Sequence, residues 1–270
     1  MLKSTLIWIF TFLFTVGIAV YQRLTGPTYP VDKEVTLAEK SFDVELPRSH
    51  GGPADAPIEI KVPDDSFQGK IKFKRLGTDD SLSIINMEFQ NGKLIGHLPH
   101  QPPAGKLKYD LILEKDSEQL RVNEESVVIR FKGAVPDYIL IPHIILMFTA
   151  MLFSTRTGIE ALIKGKQTYL YTTITLITLF IGGLILGPSV QYHAFGDAWT
   201  GWPFGDDLTD NKTLVAFIFW LIAFFRIRKS KDNRLWVIIA AVVLLAVYLI
   251  PHSVMGSEYN YESGKVETGK

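Results

Sequence analysis

Three histidines carry the first chemical suggestion in this sequence: His143, His193 and His252. Each sits near the end of a long apolar run. Imidazoles on facing helices can ligate haem axially, and imidazoles joined by carboxylates can hold zinc or copper. A haem or a transition metal is therefore the cofactor expectation at these positions. The competing reading is interfacial or hydrogen-bonded histidine, above all for His143, which falls inside an apolar run. A second candidate is the segment 193–212, HAFGDAWTGWPFGDDLTDNK. It places Trp199 and Trp202 among glycines, with Asp206, Asp207 and Asp210 close behind. Carboxylates and backbone carbonyls can chelate calcium, but the spacing does not follow the EF-hand pattern. Aromatic residues at this density suit the headgroup layer of a bilayer. The segment reads as an interfacial loop, with Asp210 or Thr209 capping the helix that follows. A further reading is a binding lip for a hydrophobic ligand with a polar head, such as a quinone or lipid.

Other chemistries are excluded by composition. The chain has 270 residues and no cysteine, which rules out disulfides, thiolate catalysis, iron–sulfur clusters and covalently attached c-type haem. Formal net charge is zero, so no basic excess points to nucleic acid. No G-x-S-x-G, H-E-x-x-H, phosphate-binding loop or dinucleotide fingerprint occurs. His50, His97 and His100 have no nucleophile positioned by motif.

The elements that must position these residues are mostly membrane helices. A span needs about 20 predominantly apolar residues. Residues 4–21, 138–153, 169–190, 213–227 and 235–250 meet or approach that length, which predicts about five transmembrane helices. The first has the character of a signal anchor, because no small-x-small cleavage site follows it. Gly183 and Gly187 form a small-xxx-small pair in the third run and predict close helix packing. Orientation follows from loop charge. Arg156, Lys164 and Lys166 dominate the loop after the second run, and Arg226, Arg228, Lys229, Lys231 and Arg234 the loop after the fourth. The loop after the third carries four aspartates. This alternation predicts a cytoplasmic N-terminus and an extracytoplasmic C-terminus. It places all three histidines and the tryptophan loop on the outer side.

Residues 22–136 read as an all-β domain inserted between the first span and the rest. Runs at 42–46, 58–62, 70–74, 82–89, 93–98, 107–113 and 126–131 alternate with period two or are compactly apolar. Turn residues separate them, including Asn91-Gly92, which suits a type I′ hairpin. About seven strands in about a hundred residues suggest a β-sandwich. The stretch 98–113, LPHQPPAGKLKYDLIL, resembles the E–F corner of immunoglobulin and fibronectin type III domains. That resemblance implies an immunoglobulin-like sandwich in which Tyr109 hydrogen-bonds back to the corner. Residues 133–136 leave almost no slack before the second span, so the domain should stand close to the membrane.

The expected organisation is a signal anchor (1–21), a β-sandwich (22–136), a four-helix membrane domain (137–252) and an outer tail (253–270). The leading functional expectation is a protein of the bacterial inner membrane whose outer domain recognises an envelope protein partner, in an accessory or assembly role. The alternatives are electron transfer or metal handling at the histidines, and quinone or lipid binding at the aromatic loop. A coupled transporter is disfavoured because the spans are almost free of ionisable side chains.

Overall fold

The computed structural model describes residues 2–251 and 256–268. The apolar runs form helices. These are α1 (Leu2–Thr25), α2 (Asp137–Leu162), α3 (Thr168–Leu179), α4 (Gly187–Phe195), α5 (Leu208–Lys229) and α6 (Arg234–Leu249). A π-helical segment, Phe180–Leu186, joins α3 to α4 in one continuous run. Four of the helical stretches are long and apolar enough to cross a membrane: α1, α2, the run Thr168–Phe195, and α5. By length and composition the chain is a multi-pass membrane protein. The fifth apolar helix, α6, has 16 residues. At 1.5 Å per residue it is about 24 Å long, a little short of a hydrocarbon core of about 30 Å. It packs between α2 and α5.

The π-helical segment has a local cause. Pro188 has no N–H and its ring crowds the preceding turn, so a regular α-ladder cannot run through it. The chain widens instead, and Gly187 N–H donates to Gly182 O, five residues back. Gly182 and Gly183 also let neighbouring helices close in. A Cβ on Gly182 would lie 2.9 Å from Leu146 Cβ on α2, and one on Gly183 would lie 2.9 Å from Thr213 Cγ2 on α5. Of the pair expected from the sequence, Gly183 packs closely inside the bundle, while at Gly187 a Cβ would meet nothing closer than 3.6 Å.

One loop assignment is corrected. Arg156 and Glu160 lie inside α2, whose helix runs well past residue 153. They form a buried i,i+4 ion pair at 2.6 Å, with side chains 3% and 6% exposed. Trp8 and Tyr171 flank the guanidinium at 5.3 and 5.1 Å. Glu160 Oε1 also accepts from Gln167 N–H at 3.1 Å. Splitting a buried pair costs about 3–5 kcal/mol, so this group ties α1, α2 and α3 together at the end remote from the β region.

The β region is more finely divided than the sequence suggests. It contains β1 (Val31–Leu37), β2 (Lys40–Leu46), β3 (Ser49–Gly51), β4 (Ala56–Lys61), β5 (Gln68–Arg75) and β6 (Ser83–Asn86). It continues with β7 (Glu88–Gln90), β8 (Lys93–Leu98), β9 (Lys106–Lys115), β10 (Glu118–Arg121) and β11 (Val127–Lys132). Eleven strands replace the seven expected. One sheet has the order β3-β11-β9-β5-β6, with β10 on β9; a second is β4-β8-β7; β1 and β2 form a separate hairpin. β3 runs parallel to β11, and the other pairings in this region are antiparallel. Their apolar faces share one core, including Leu46, Ile58, Ile60, Ile71, Leu94, Leu107, Leu111 and Phe131. Asn91 and Gly92 adopt φ of 51° and 78° and turn β7 into β8, as the sequence predicts. Tyr109 is buried, but its hydroxyl donates to Pro47 O at 2.9 Å, not to its own corner.

The segment after α6 is not a free tail. β12 (Ser257–Asn260) and β13 (Lys265–Thr268) form a hairpin folded onto the β region. Tyr259 N–H donates to Ala104 O at 3.0 Å. Lys106 and Glu258 pair at 2.6 Å. The Tyr261 hydroxyl donates to Gln101 Oε1 at 2.9 Å and accepts from Lys106 N–H at 3.2 Å.

Candidate functional site: a cavity where helices, β region and tail meet

The β region stands on one end of the helix bundle through a short junction. Gly133 N–H donates to Ala194 O at 2.9 Å, and a Cβ on Gly133 would come within 2.2 Å of His193 O. Only glycine allows this approach. It brings the end of β11 onto the end of α4. Gly196, at φ +93°, then ends α4 in the left-handed conformation. The chain turns back through the aromatic loop into α5.

That loop is organised by its carboxylates. Asp207 is the N-cap of α5 and accepts from Thr209 N–H at 2.7 Å, which corrects the expectation that Asp210 or Thr209 would cap it. Its other oxygen accepts from Ser257 N–H and Ser257 Oγ, both at 3.2 Å, and lies 3.2 Å from Thr200 Oγ1. Asp207 is therefore saturated and anchors the start of β12. Asp210 Oδ2 accepts from Thr200 N–H at 2.7 Å, Gly201 N–H at 3.0 Å and Gln191 Nε2 at 3.1 Å. Lys212 is buried, but its ammonium turns to Ile250 O at 2.8 Å and caps the end of α6. Asp206 is exposed and has interactions of its own. Trp199 Nε1 donates to Trp202 O at 3.1 Å, while Trp202 and Phe204 point outward, 69% and 83% exposed. Asp207 and Asp210 thus face inward, while Trp202 and Phe204 face outward.

From above, β11 contributes Arg130. Its guanidinium is 3.8 Å over the Phe195 ring and donates to Ser257 O. Arg130 is 6% exposed, and no carboxylate among the described residues lies within ion-pair distance of it. Its Nε has no hydrogen-bond partner. Burial pushes its pKa down to about 10, against the opposing pull of Asp207 and Glu258. Two residues on, Lys132 is also held below the usual lysine range, by burial first and then by Arg130 and Arg23.

These groups line a cavity of about 460 Å³. Arg130, Asp207, Asp210, Gln191, Gln22 and Ser257 form its polar end. Leu140, Ile144, Met147 and Phe148 of α2 form its apolar wall. Ile144 and Phe148 are each 44% exposed on the outside of the bundle. The apolar wall of the cavity thus includes side chains exposed at the surface of α2. His143 borders it as well, with Nδ1–H donating to Gly182 O at 2.9 Å. Because a carbonyl only accepts, that bond fixes the proton on Nδ1.

The three histidines part company here. His143 lines the cavity. His193 sits in the last turn of α4 with its ring 5.7 Å from that of Tyr192, and it does not line the cavity. His252 lies outside the described residues. Among the described residues no group of three or more His, Asp or Glu side chains is arranged to hold a metal ion. The chain was compared with protein-family models, curated proteins and solved structures, and none of the three comparisons gave a match.

Arg130, Ser257, Gln22 and Gln191 are the polar cavity residues that sequence reasoning missed. Arg130 sits in a strand rich in apolar residues, VVIRFK. A charge on an otherwise buried strand was the available signal. Ser257 follows α6 in a polar segment that carries no motif.

Proposed function

We propose that this is a multi-pass protein of a bacterial inner membrane that binds an amphiphilic lipid at the outer edge of the bilayer, beneath an immunoglobulin-like domain. The cavity carries this reading. Its apolar wall includes Ile144 and Phe148, exposed on α2, and its polar lining includes the buried Arg130, Asp207 and Asp210 with Gln22 and Gln191. Ligand pockets commonly have volumes of about 300–1,000 Å³ and pair an apolar lining with a few fixed polar groups. Trp202 and Phe204 beside it suit the headgroup layer. The basic residues near the opposite ends of the helices, from Lys164 to Lys166 and from Arg226 to Arg234, support a cytoplasmic N-terminus and an outer β domain. The strand orders β3-β11-β9-β5-β6 and β4-β8-β7, with a parallel first pair, support the immunoglobulin-like reading of the β region.

The test is lipid retention. Protein purified through exhaustive detergent exchange should keep about one equivalent of lipid, measured by mass spectrometry of the extract. Gly187 borders the cavity, and a Cβ there would meet no atom closer than 3.6 Å. Gly187→Val should therefore fold and lose that lipid. Equal retention by the variant would remove the reading. A second reading keeps the outer domain as a recognition module for an envelope protein. It draws support from Leu82 and Ile84, 60% and 58% exposed in and beside edge strand β6.

A further inference from the structure

Two opposite charges face the same cavity and do not pair with each other. Arg130 enters from β11 and Asp210 from the first turn of α5. No ion pair joins them, and the carboxylate nearest the guanidinium electrostatically, Asp207, already takes hydrogen bonds from Thr209, Ser257 and Thr200. Lys212, two residues from Asp210, is turned to the α6 carbonyls and supplies nothing to the carboxylate. Left alone, a buried guanidinium without a counter-ion carries an uncompensated desolvation penalty. The fold holds Arg130 in place by stacking on Phe195 and bonding to Ser257 O. A ligand that carried only a negative charge would meet Arg130 but also the two aspartates. One that carried only a positive charge would meet the aspartates but also Arg130, with Lys132 close behind.

We propose that the cavity selects a zwitterionic aminophospholipid, with its phosphate at Arg130, its primary ammonium at Asp210 and its acyl chains leaving past Ile144 and Phe148. This rests on the lipid-binding reading above and adds the headgroup. The preference for a primary amine follows from hydrogen bonding. Asp210 Oδ2 is taken by Thr200, Gly201 and Gln191, which leaves Oδ1 as the acceptor that an ammonium can satisfy with an N–H donor and a quaternary choline cannot. Phosphate suits Arg130 because a guanidinium donates through several N–H groups in a fixed fork.

The experiment is competition on delipidated full-length protein in detergent, read by native mass spectrometry. The probes are phosphatidylethanolamine, phosphatidylcholine and phosphatidylglycerol with identical acyl chains. Phosphatidylethanolamine should bind about tenfold more tightly than either rival, with one molecule per chain. Asp210→Asn keeps an acceptor for the Thr200 and Gly201 amides, so it should fold. It should erase the preference of ethanolamine over choline. Arg130→Gln should weaken all three lipids together. The wild-type competition needs no variant, so misfolding of either mutant cannot rescue the proposal. Saturable binding with equal affinity for all three lipids, or a preference for phosphatidylglycerol, would overturn the headgroup assignment and leave the lipid-binding reading standing. No saturable binding of any lipid would overturn both.

Discussion

At the scale of single residues, Asp207 does two jobs with one carboxylate. It caps α5 through Thr209 and holds the first residue of β12 through Ser257. Losing a cap costs about 0.5–2 kcal/mol, and leaving Ser257 N–H buried without an acceptor adds about 1–3 kcal/mol. Asp207→Ala should therefore lower the melting temperature in detergent and raise hydrogen exchange across residues 257–268, with less effect on β5 and β9. Unchanged exchange in the hairpin would show that its docking does not depend on this carboxylate. Tyr261 gives a pH signature for the same hairpin. Burial, ahead of its other neighbours, pushes its hydroxyl up to about 12. The folded state thus keeps it neutral where an unfolded tyrosine, near 10, would ionise. Its contribution is complete below about pH 10 and is lost as the pH rises towards about 12. The difference in tyrosinate absorbance between wild type and Tyr261→Phe should show a midpoint near 12. A midpoint near 10 would mean that the hairpin is undocked. The sequence made Asp207 and Asp210 visible as candidates, because aspartates packed among glycines and tryptophans are unusual. It could not show that Asp207 faces Ser257, fifty residues away, since nothing local encodes that pairing.

Elements were legible where pattern and period are local. The apolar runs are helices, and Asn91-Gly92 is the hairpin turn that its chemistry demands. Hairpins whose turns lack such residues were not legible. β1 and β2 are joined through Ala38 and Glu39, at φ of 50° and 60°, and β9 and β10 through Asp116 and Ser117, at 49° and 72°. The first of these turns carries neither glycine nor asparagine, so tertiary packing imposes a conformation that propensity would not choose. The length of α2 was missed for a different reason. Arg156 and Glu160 read as loop charges, yet each neutralises the other one turn apart, under Trp8 and Tyr171. The element most exposed to a single change is the junction of β11 with α4. Gly133→Ala would drive a methyl group into His193 O, a contact with backbone that cannot move aside cheaply. Overpacking of this kind costs about 1–3 kcal/mol. The variant should unfold at lower temperature and lose the Gly133 to Ala194 hydrogen bond, seen as faster exchange at residue 133. A melting curve identical to wild type would contradict the tight junction.

For the whole molecule, the decisive quantity is which end of the bundle faces outward. The chain contains no cysteine, so single introduced thiols report without background. Asp197→Cys, beside α4, should react with an impermeant maleimide on intact spheroplasts. Ser230→Cys, in the turn between α5 and α6, should react only after the membrane is opened. The reverse pattern would invert the protein and place the cavity at the inner leaflet. The division into helices and a β region could be read from hydropathy alone. The cavity could not, because its walls come from α1, α2, the third helical run, α5, α6, β11 and the start of β12, and no stretch of sequence contains more than a fragment of it.

The junction at Gly133 also has a mechanical meaning. With its amide tied to Ala194 O and no room for even a methyl group, it works as a stiff coupling and not as a hinge. A load applied to the β region, by a bound protein or by crowding against a cell wall, is handed to the tip of α4. The next weak link down that rod is the π-helical turn, where the hydrogen-bond spacing is already stretched to five residues and His143 leans on Gly182 O. Tilting the β region would therefore strain the wall of the cavity directly.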